Sequence, residues 1–135
     1  MGVIVDSSVI ITLERQGGPF DRDRLGLADE PVGLSTITAS ELLVGIHRAA
    51  TSQQRSDREV YLETLFRTVQ IFPFDLAVAR VHAQLWSHLS AAGTRIGDHD
   101  LIIGATALAN GHEILTENLR EFERIPGLVT RRPDW

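Results

Sequence analysis

The feature that most constrains this chain is a series of short, β-branched apolar runs, each followed closely by a longer stretch of helical spacing. The first run is Val3-Ile4-Val5, ended by the polar cluster Asp6-Ser7-Ser8. A continuous apolar triplet of this kind suits a strand buried on both faces. Val9, Ile10, Ile11 and Leu13 continue in a denser helical pattern that Gly17-Gly18-Pro19 stops. Residues 18–31 mix Gly, Pro and charge and read as a loop with one short helix.

The alternation then repeats. Val32-Gly33-Leu34-Ser35-Thr36 reads as a second strand, and Thr38-Ala39-Ser40-Glu41 has capping-box spacing ahead of Leu42, Leu43 and Ile46. Ser56-Asp57-Arg58-Glu59 carries the same signature before Val60, Leu62, Leu65 and Phe66. Val69-Gln70-Ile71-Phe72 is a third strand, Asp75 caps a helix running to Gly93, and another helix spans Asp98 to Asn110-Gly111. Glu113–Thr116 is a fourth strand, Asn118–Arg124 a short helix and Leu128–Thr130 a last strand. Parallel strands need crossover connections, and helices supply them here. The expected architecture is therefore α/β: one domain over residues 1–135, with a central parallel sheet of about four to five strands and helices on both faces.

Two absences narrow the chemistry. The chain has no cysteine, which removes disulfide frameworks, zinc–cysteine sites and thiol nucleophiles. It also has no lysine, all 13 basic residues being arginine, so a phosphate-binding P-loop lysine and a Schiff base are both excluded. A phosphoacceptor receiver domain, which also places acids at strand ends, fails for the same reason. With 18 acids the net charge is −5, so any binding of a polyanion must come from local arginine placement. No run of 18 apolar residues and no charged leader is present, and the expected location is the cytoplasm, with no membrane association.

In open α/β sheets the ligand crevice lies beyond the carboxyl ends of the strands. Asp6 ends the first strand, Glu41 opens the helix after the second, Asn118 follows the fourth, and Asp100 starts the helix leading into it. Carboxylates are not gathered without a reason, because like charges at a few ångströms repel. A hard divalent ion such as Mg²⁺ or Mn²⁺ relieves that repulsion through oxygen ligands. Each residue also has a purely structural reading. Asp6 and Asn118 could cap the helices that follow them, Glu41 could complete a capping box, and Asp98 and Asp100 lie in a first turn where the helix dipole favours acids.

Four blocks of sequence weigh against the structural readings. They are Val3–Ser8, Ser35–Ile46, Ile96–Ala109 and the pair Leu115–Phe122 with Ile125–Leu128. In that order and at those distances the chain resembles the PIN-domain ribonucleases, and in particular the VapC toxins of toxin–antitoxin pairs, over nearly its whole length. The resemblance puts Asp6, Glu41 and Asp100 at the family's three acids. It puts Asn118 where many relatives carry aspartate; an amide is neutral, so a second metal would be held more weakly.

The resemblance implies Mg²⁺-dependent hydrolysis of RNA phosphodiesters, with Mn²⁺ a possible substitute. Asp6, Glu41, Asp100 and Asn118 would be both the metal-binding and the catalytic residues. Ser7 and Thr116 would orient them, and Asp98 would serve as a helix N-cap or an outer water ligand. Arg15, Arg48, Arg55, Arg58, Arg120 and Arg124 are candidate phosphate contacts. His99 and His112 have no spaced partner and read as structural.

The implied partners are RNA, a VapB-type antitoxin and a second copy of the chain in a homodimer. Ile10, Ile11, Leu13, Leu42, Leu43 and Ile46 exceed what one buried face requires, and a groove for an amphipathic antitoxin helix would use the surplus. The rival reading is a catalytically weak or inactive PIN-fold module that binds RNA or a protein partner without cleavage.

Overall fold

Side chains alternate across a strand, so a sheet covered on both faces must divide its apolar residues between two cores. The computed structural model, which describes residues 2–135, shows this division. Val3 and Val5 of β1 (Val3–Val5) and Leu115 of β4 (Glu113–Leu115) belong to one buried cluster, whereas Ile4 and Ile114 belong to the other. The first face is covered by α1 (Ser7–Arg15), α2 (Thr36–His47) and α3 (Ser52–Thr68). The second is covered by α4 (Leu76–Ala91), α5 (Asp98–Ala109) and α6 (Leu119–Phe122).

The sheet also contains β2 (Val32–Ser35), β3 (Gln70–Phe72) and β5 (Thr130–Arg131), and its order is β3-β2-β1-β4-β5 with every pair parallel. The α/β architecture, the parallel sheet and the two helical layers are as the sequence predicts. A single 3₁₀ turn, Arg22–Leu25, occupies the loop before β2.

Three local expectations are corrected. The capping box at Thr38–Glu41 does not form: Ser35 caps α2, its Oγ accepting from the Ile37 N–H (3.2 Å), and Thr38 lies inside the helix, fully buried. Nor does Ser56 start α3. Thr51 caps it by accepting from the Gln54 N–H (3.1 Å), while the Gln54 side chain accepts from the Ala50 N–H (3.0 Å). The Thr-x-x-Gln sequence one turn upstream wins because it serves two otherwise unpaired donors at once. The last strand begins at Thr130 rather than Leu128, because a turn at Pro126-Gly127, with Gly127 at φ +80°, delays entry into the sheet. Asp75 caps α4 as predicted, accepting from the Val78 N–H (3.0 Å).

Two glycines are set by close approach. A Cβ on Gly33 would collide with the Phe72 ring, which crosses from the neighbouring strand, and one on Gly104 would collide with Ile125 Cδ1. The second contact lets α5 lie against the segment after α6.

Candidate active site

Strand order reverses between β1 and β4: the chain moves outward through β2 and β3, then returns to the other side of β1. Such a switch point opens a crevice beyond the carboxyl ends of the two strands. Asp6 follows β1 there and is 4% exposed. It occupies the N-cap position of α1 but makes no capping bond. Instead its Oδ2 accepts from Thr116 Oγ1, at the end of β4, and from Ser8 Oγ, each at 2.8 Å. The capping reading of Asp6 is thus excluded. Of the two expected orienting hydroxyls Thr116 is in place, while Ser8 rather than Ser7 supplies the second. The Thr116 hydroxyl also accepts from the Asn118 N–H (2.9 Å), which pins the next residue of the constellation.

Asn118 stands at the N-cap of α6 without a side-chain capping bond, and its side chain is exposed. Glu41 lies in the second turn of α2, beyond the reach of a capping role. Its Oε2 meets His99 Nδ1 at 3.3 Å, whereas its Oε1 is buried and has no partner among the described residues. Asp100, in the first turn of α5, is half-buried, and its carboxyl is pushed up to about 6. Desolvation is the largest cause, followed by the charges of Asp6, Glu121 and Glu41, with His99 acting in the opposite direction. Asp6, Glu41 and Asp100 are therefore near enough to feel one another.

Two contributors were not singled out from the sequence. Glu121, on α6, accepts from the Gly97 N–H through Oε1 (2.8 Å) and brings a third negative charge to bear on Asp100, beside those of Asp6 and Glu41. His99 touches Glu41 and is no remote structural histidine. The one signal for Glu121 was its place in the last sequence block, three residues after Asn118. Asp98 is not the N-cap of α5; that position is Gly97, and Asp98 is exposed in the first turn. His112 does prove structural: its Nδ1 accepts from the Gly2 N–H (3.2 Å) and its ring packs edge-on against Phe72. Among the candidate arginines, Arg58 is committed to the Gly45 carbonyl (2.6 Å) and Arg124 to the Arg95 carbonyl (2.6 Å) and Glu121. Arg15, Arg48, Arg55 and Arg120 are exposed.

An unpaired buried carboxylate oxygen is costly, and carboxylates with one amide form a hard-oxygen donor set. In kind, the residues fit a divalent cation. Among the described residues, however, no three His, Cys, Asp or Glu side chains are already gathered into a metal-ready cluster. Mg²⁺ commonly keeps several of its own waters, so a looser ring of oxygens is compatible with it.

Beside this crevice runs a groove between α1, α2 and α3, with a cavity of about 220 Å³. Its walls are apolar at Ile10, Ile11, Leu42 and Leu62 and polar at Glu14, Arg15, Glu41 and Arg58. Of the expected surplus apolar residues, Ile10, Leu13 and Leu42 are core and Ile46 packs against it, whereas Ile11 (39% exposed) and Leu43 (38%) face solvent. Burial raises the Glu14 carboxyl above its ordinary value, with Arg58 and Arg15 pulling the other way. No helix among the described residues is long and apolar enough to cross a membrane.

Comparison with known proteins gives one consistent result. Residues 3–128 match the PIN domain family. A ribonuclease VapC from Rickettsia bellii is 36% identical over 128 residues, covering 95% of this chain and 93% of that one. A tRNA(fMet)-specific endonuclease VapC from Salmonella typhimurium is 31% identical over 132 residues, covering 98% and 96%. Among solved structures, a DNA-bound VapBC from Salmonella typhimurium superposes with a TM-score of 0.84 at 26% identity, over 98% of both chains.

Proposed function

The chain belongs to the PIN-domain family, in its VapC branch, and from that premise we propose that it is the toxin of a VapBC-type toxin–antitoxin pair, a Mg²⁺-dependent endoribonuclease. The observation that carries the catalytic part is Asp100, whose carboxyl is held near 6 in a crevice shared with Asp6, Glu41 and Glu121. Burial first, and the neighbouring carboxylate charges second, disfavour its ionised form, and a bound cation would offset both.

Asp6, Glu41 and Asp100 would hold Mg²⁺, or Mn²⁺ in its place, directly or through water, with the Asn118 amide completing the polar shell. When bound, the ion offsets the negative charge of the crevice and of the RNA phosphate and acidifies the attacking water. Thr116 and Ser8 fix Asp6 by donating to the same oxygen, Oδ2, so that Oδ1 is left for ligation. Asp100, whose carboxyl is pushed up to about 6 in the metal-free crevice, would have to give up its proton to ligate the ion, so metal binding there would be coupled to pH. His99 restrains Glu41 through Oε2, while the buried Oε1 has no hydrogen-bond partner among the described residues.

The antitoxin partner is supported by the groove, because an amphipathic helix could lay apolar side chains on Ile11 and Leu43 while a basic residue approached Glu14 or Glu41. For the expected homodimer, the available apolar face is at α4, where Leu76 (66% exposed) and Trp86 (61%) stand with Phe74. The expected cytoplasmic location accords with an RNA substrate.

The test is incubation of purified, antitoxin-free chain with total RNA and Mg²⁺, beside EDTA, Asp6→Asn and Asp100→Asn. Cleavage lost in all three controls is the expected result. No cleavage by folded protein, with no Mg²⁺ binding by calorimetry, would replace this reading with that of a non-cleaving module.

A further inference from the structure

We infer that the segment after β5 builds a nucleobase-stacking subsite for the RNA, with Trp135 as its platform and Arg132 as its phosphate contact. The inference rests on the ribonuclease reading above and adds to it a way of gripping the strand beyond the reacting phosphate.

The placement follows from the sheet. Arg131 pairs with Leu115, and the Thr116 N–H donates to the Arg131 carbonyl (3.0 Å). Residues 132–135 therefore leave the sheet level with the strand end that holds Asp6. Glu117, the next residue after Thr116, links this segment to the site. Its N–H donates to Ser8 Oγ (3.2 Å), the hydroxyl that also binds Asp6. Its Oε1 accepts from Thr12 Oγ1, and its Oε2 accepts a long bond from Trp135 Nε1 (3.5 Å). With both oxygens engaged, Glu117 acts as a positioning residue: it ties α1, the catalytic strand end and the indole together.

What this bracing leaves open is suited to a base. A cavity of about 260 Å³ lies among Glu117, Arg132, Pro133 and Trp135, and Trp135 as a residue is 43% exposed. Tryptophan held at its polar tip, with its ring uncovered, offers a π-face to a nucleobase at little cost in side-chain entropy. Arg132 makes no ion pair among the described residues, whereas its neighbour Arg131 is taken by Glu30 and Glu113. In a chain of net charge −5, a guanidinium without an ion pair on the wall of the same cavity as Trp135 is suited to hold an RNA phosphate. Stacking of this kind is tolerant of sequence, so the subsite would add affinity rather than select a target.

The chain has two tryptophans, so Trp86→Phe leaves Trp135 as the sole indole reporter. In that background, with Asp6→Asn to keep the RNA intact, emission is followed while a mixed-sequence single-stranded oligonucleotide is added, and again with an abasic strand of equal length. The expected result is quenching by the first and not by the second. In the otherwise unaltered chain, Trp135→Ala should raise KM roughly ten-fold with kcat unchanged, and Trp135→Phe should restore most of the loss. Circular dichroism establishes that both variants are folded. Cleavage by the unaltered chain with equal emission changes from both strands, or with KM unmoved by Trp135→Ala, would overturn the subsite and leave the ribonuclease reading standing. Base-dependent quenching without any cleavage would do the reverse.

Discussion

Replacing Asp100 by asparagine should make the metal-free protein more stable while abolishing its activity. Asp100 keeps its proton to about pH 6 in the folded chain against an ordinary value of 3.8, so folding must oppose its ionisation. The folded state binds the proton more tightly than the unfolded state, and stability therefore falls as pH rises through this interval. The penalty is complete above about pH 6 and absent below the ordinary carboxylate value. A shift of roughly two units at 1.36 kcal/mol each sets a ceiling of about 3 kcal/mol. Asp100 is only half-buried, and solvent screening reduces this to about 1–2 kcal/mol. In a domain of this size that corresponds to about 3–8 °C in Tm. The assay is thermal unfolding of both proteins in EDTA at about pH 7.5 and at steps down to pH 4. The variant should lead at the higher pH, and its lead should shrink steadily below pH 6. Mg²⁺ should raise the Tm of the unaltered chain more than that of the variant. A variant no more stable than its parent in EDTA at pH 7.5, or a lead that does not change with pH, would refute the electrostatic account of the crevice.

Three further outcomes follow from individual contacts. Thr116→Val removes a donor to the buried Asp6 carboxylate at nearly constant volume; it should cost about 1.5–3 kcal/mol by urea denaturation and lower the cleavage rate. Glu121→Gln keeps an acceptor for the Gly97 N–H but removes one of the charges on Asp100, so the Asp100 titration followed by carboxyl NMR should move down toward its ordinary value. Gly104→Ala forces a methyl group against Ile125 and should cost about 1–3 kcal/mol in the same urea assay.

The sheet and the strand-end acids were legible because both follow from short-range pattern. Val3-Ile4-Val5 is apolar without alternation because both its faces are covered, and Asp6 must then stand at a strand end whatever the rest of the chain does. Glu121 and His99 were not legible in this way. Glu121 reaches the site because the four-residue helix α6 folds back on the start of α5, through a bond to Gly97 spanning 24 residues. So short a helix has no periodicity to read. His99 meets Glu41 across 58 residues, and that contact depends on how α2 and α5 pack. The choice between Ser7 and Ser8 rests on the rotational phase of α1 against β4, which two consecutive serines leave undecided.

The misread start of α2 shows how the fold puts a carboxylate to use. Had Thr38 been the cap, Glu41 would stand at N3, and its side chain would reach back to the cap's own N–H. Instead Ser35 serves twice, as the last residue of β2, paired with Phe72, and as the cap of α2 through the Ile37 N–H. No connecting residue then separates strand from helix, and Glu41 falls at the sixth helical position rather than the third. There the helix supplies its backbone hydrogen bonds without help, and the carboxylate has no local donor to satisfy. Its Oε1 is left buried and unpartnered among the described residues, and the Glu41 charge is felt by Asp100. The direct passage from β2 into α2 is what frees Glu41 from a capping role and makes it available to the candidate site.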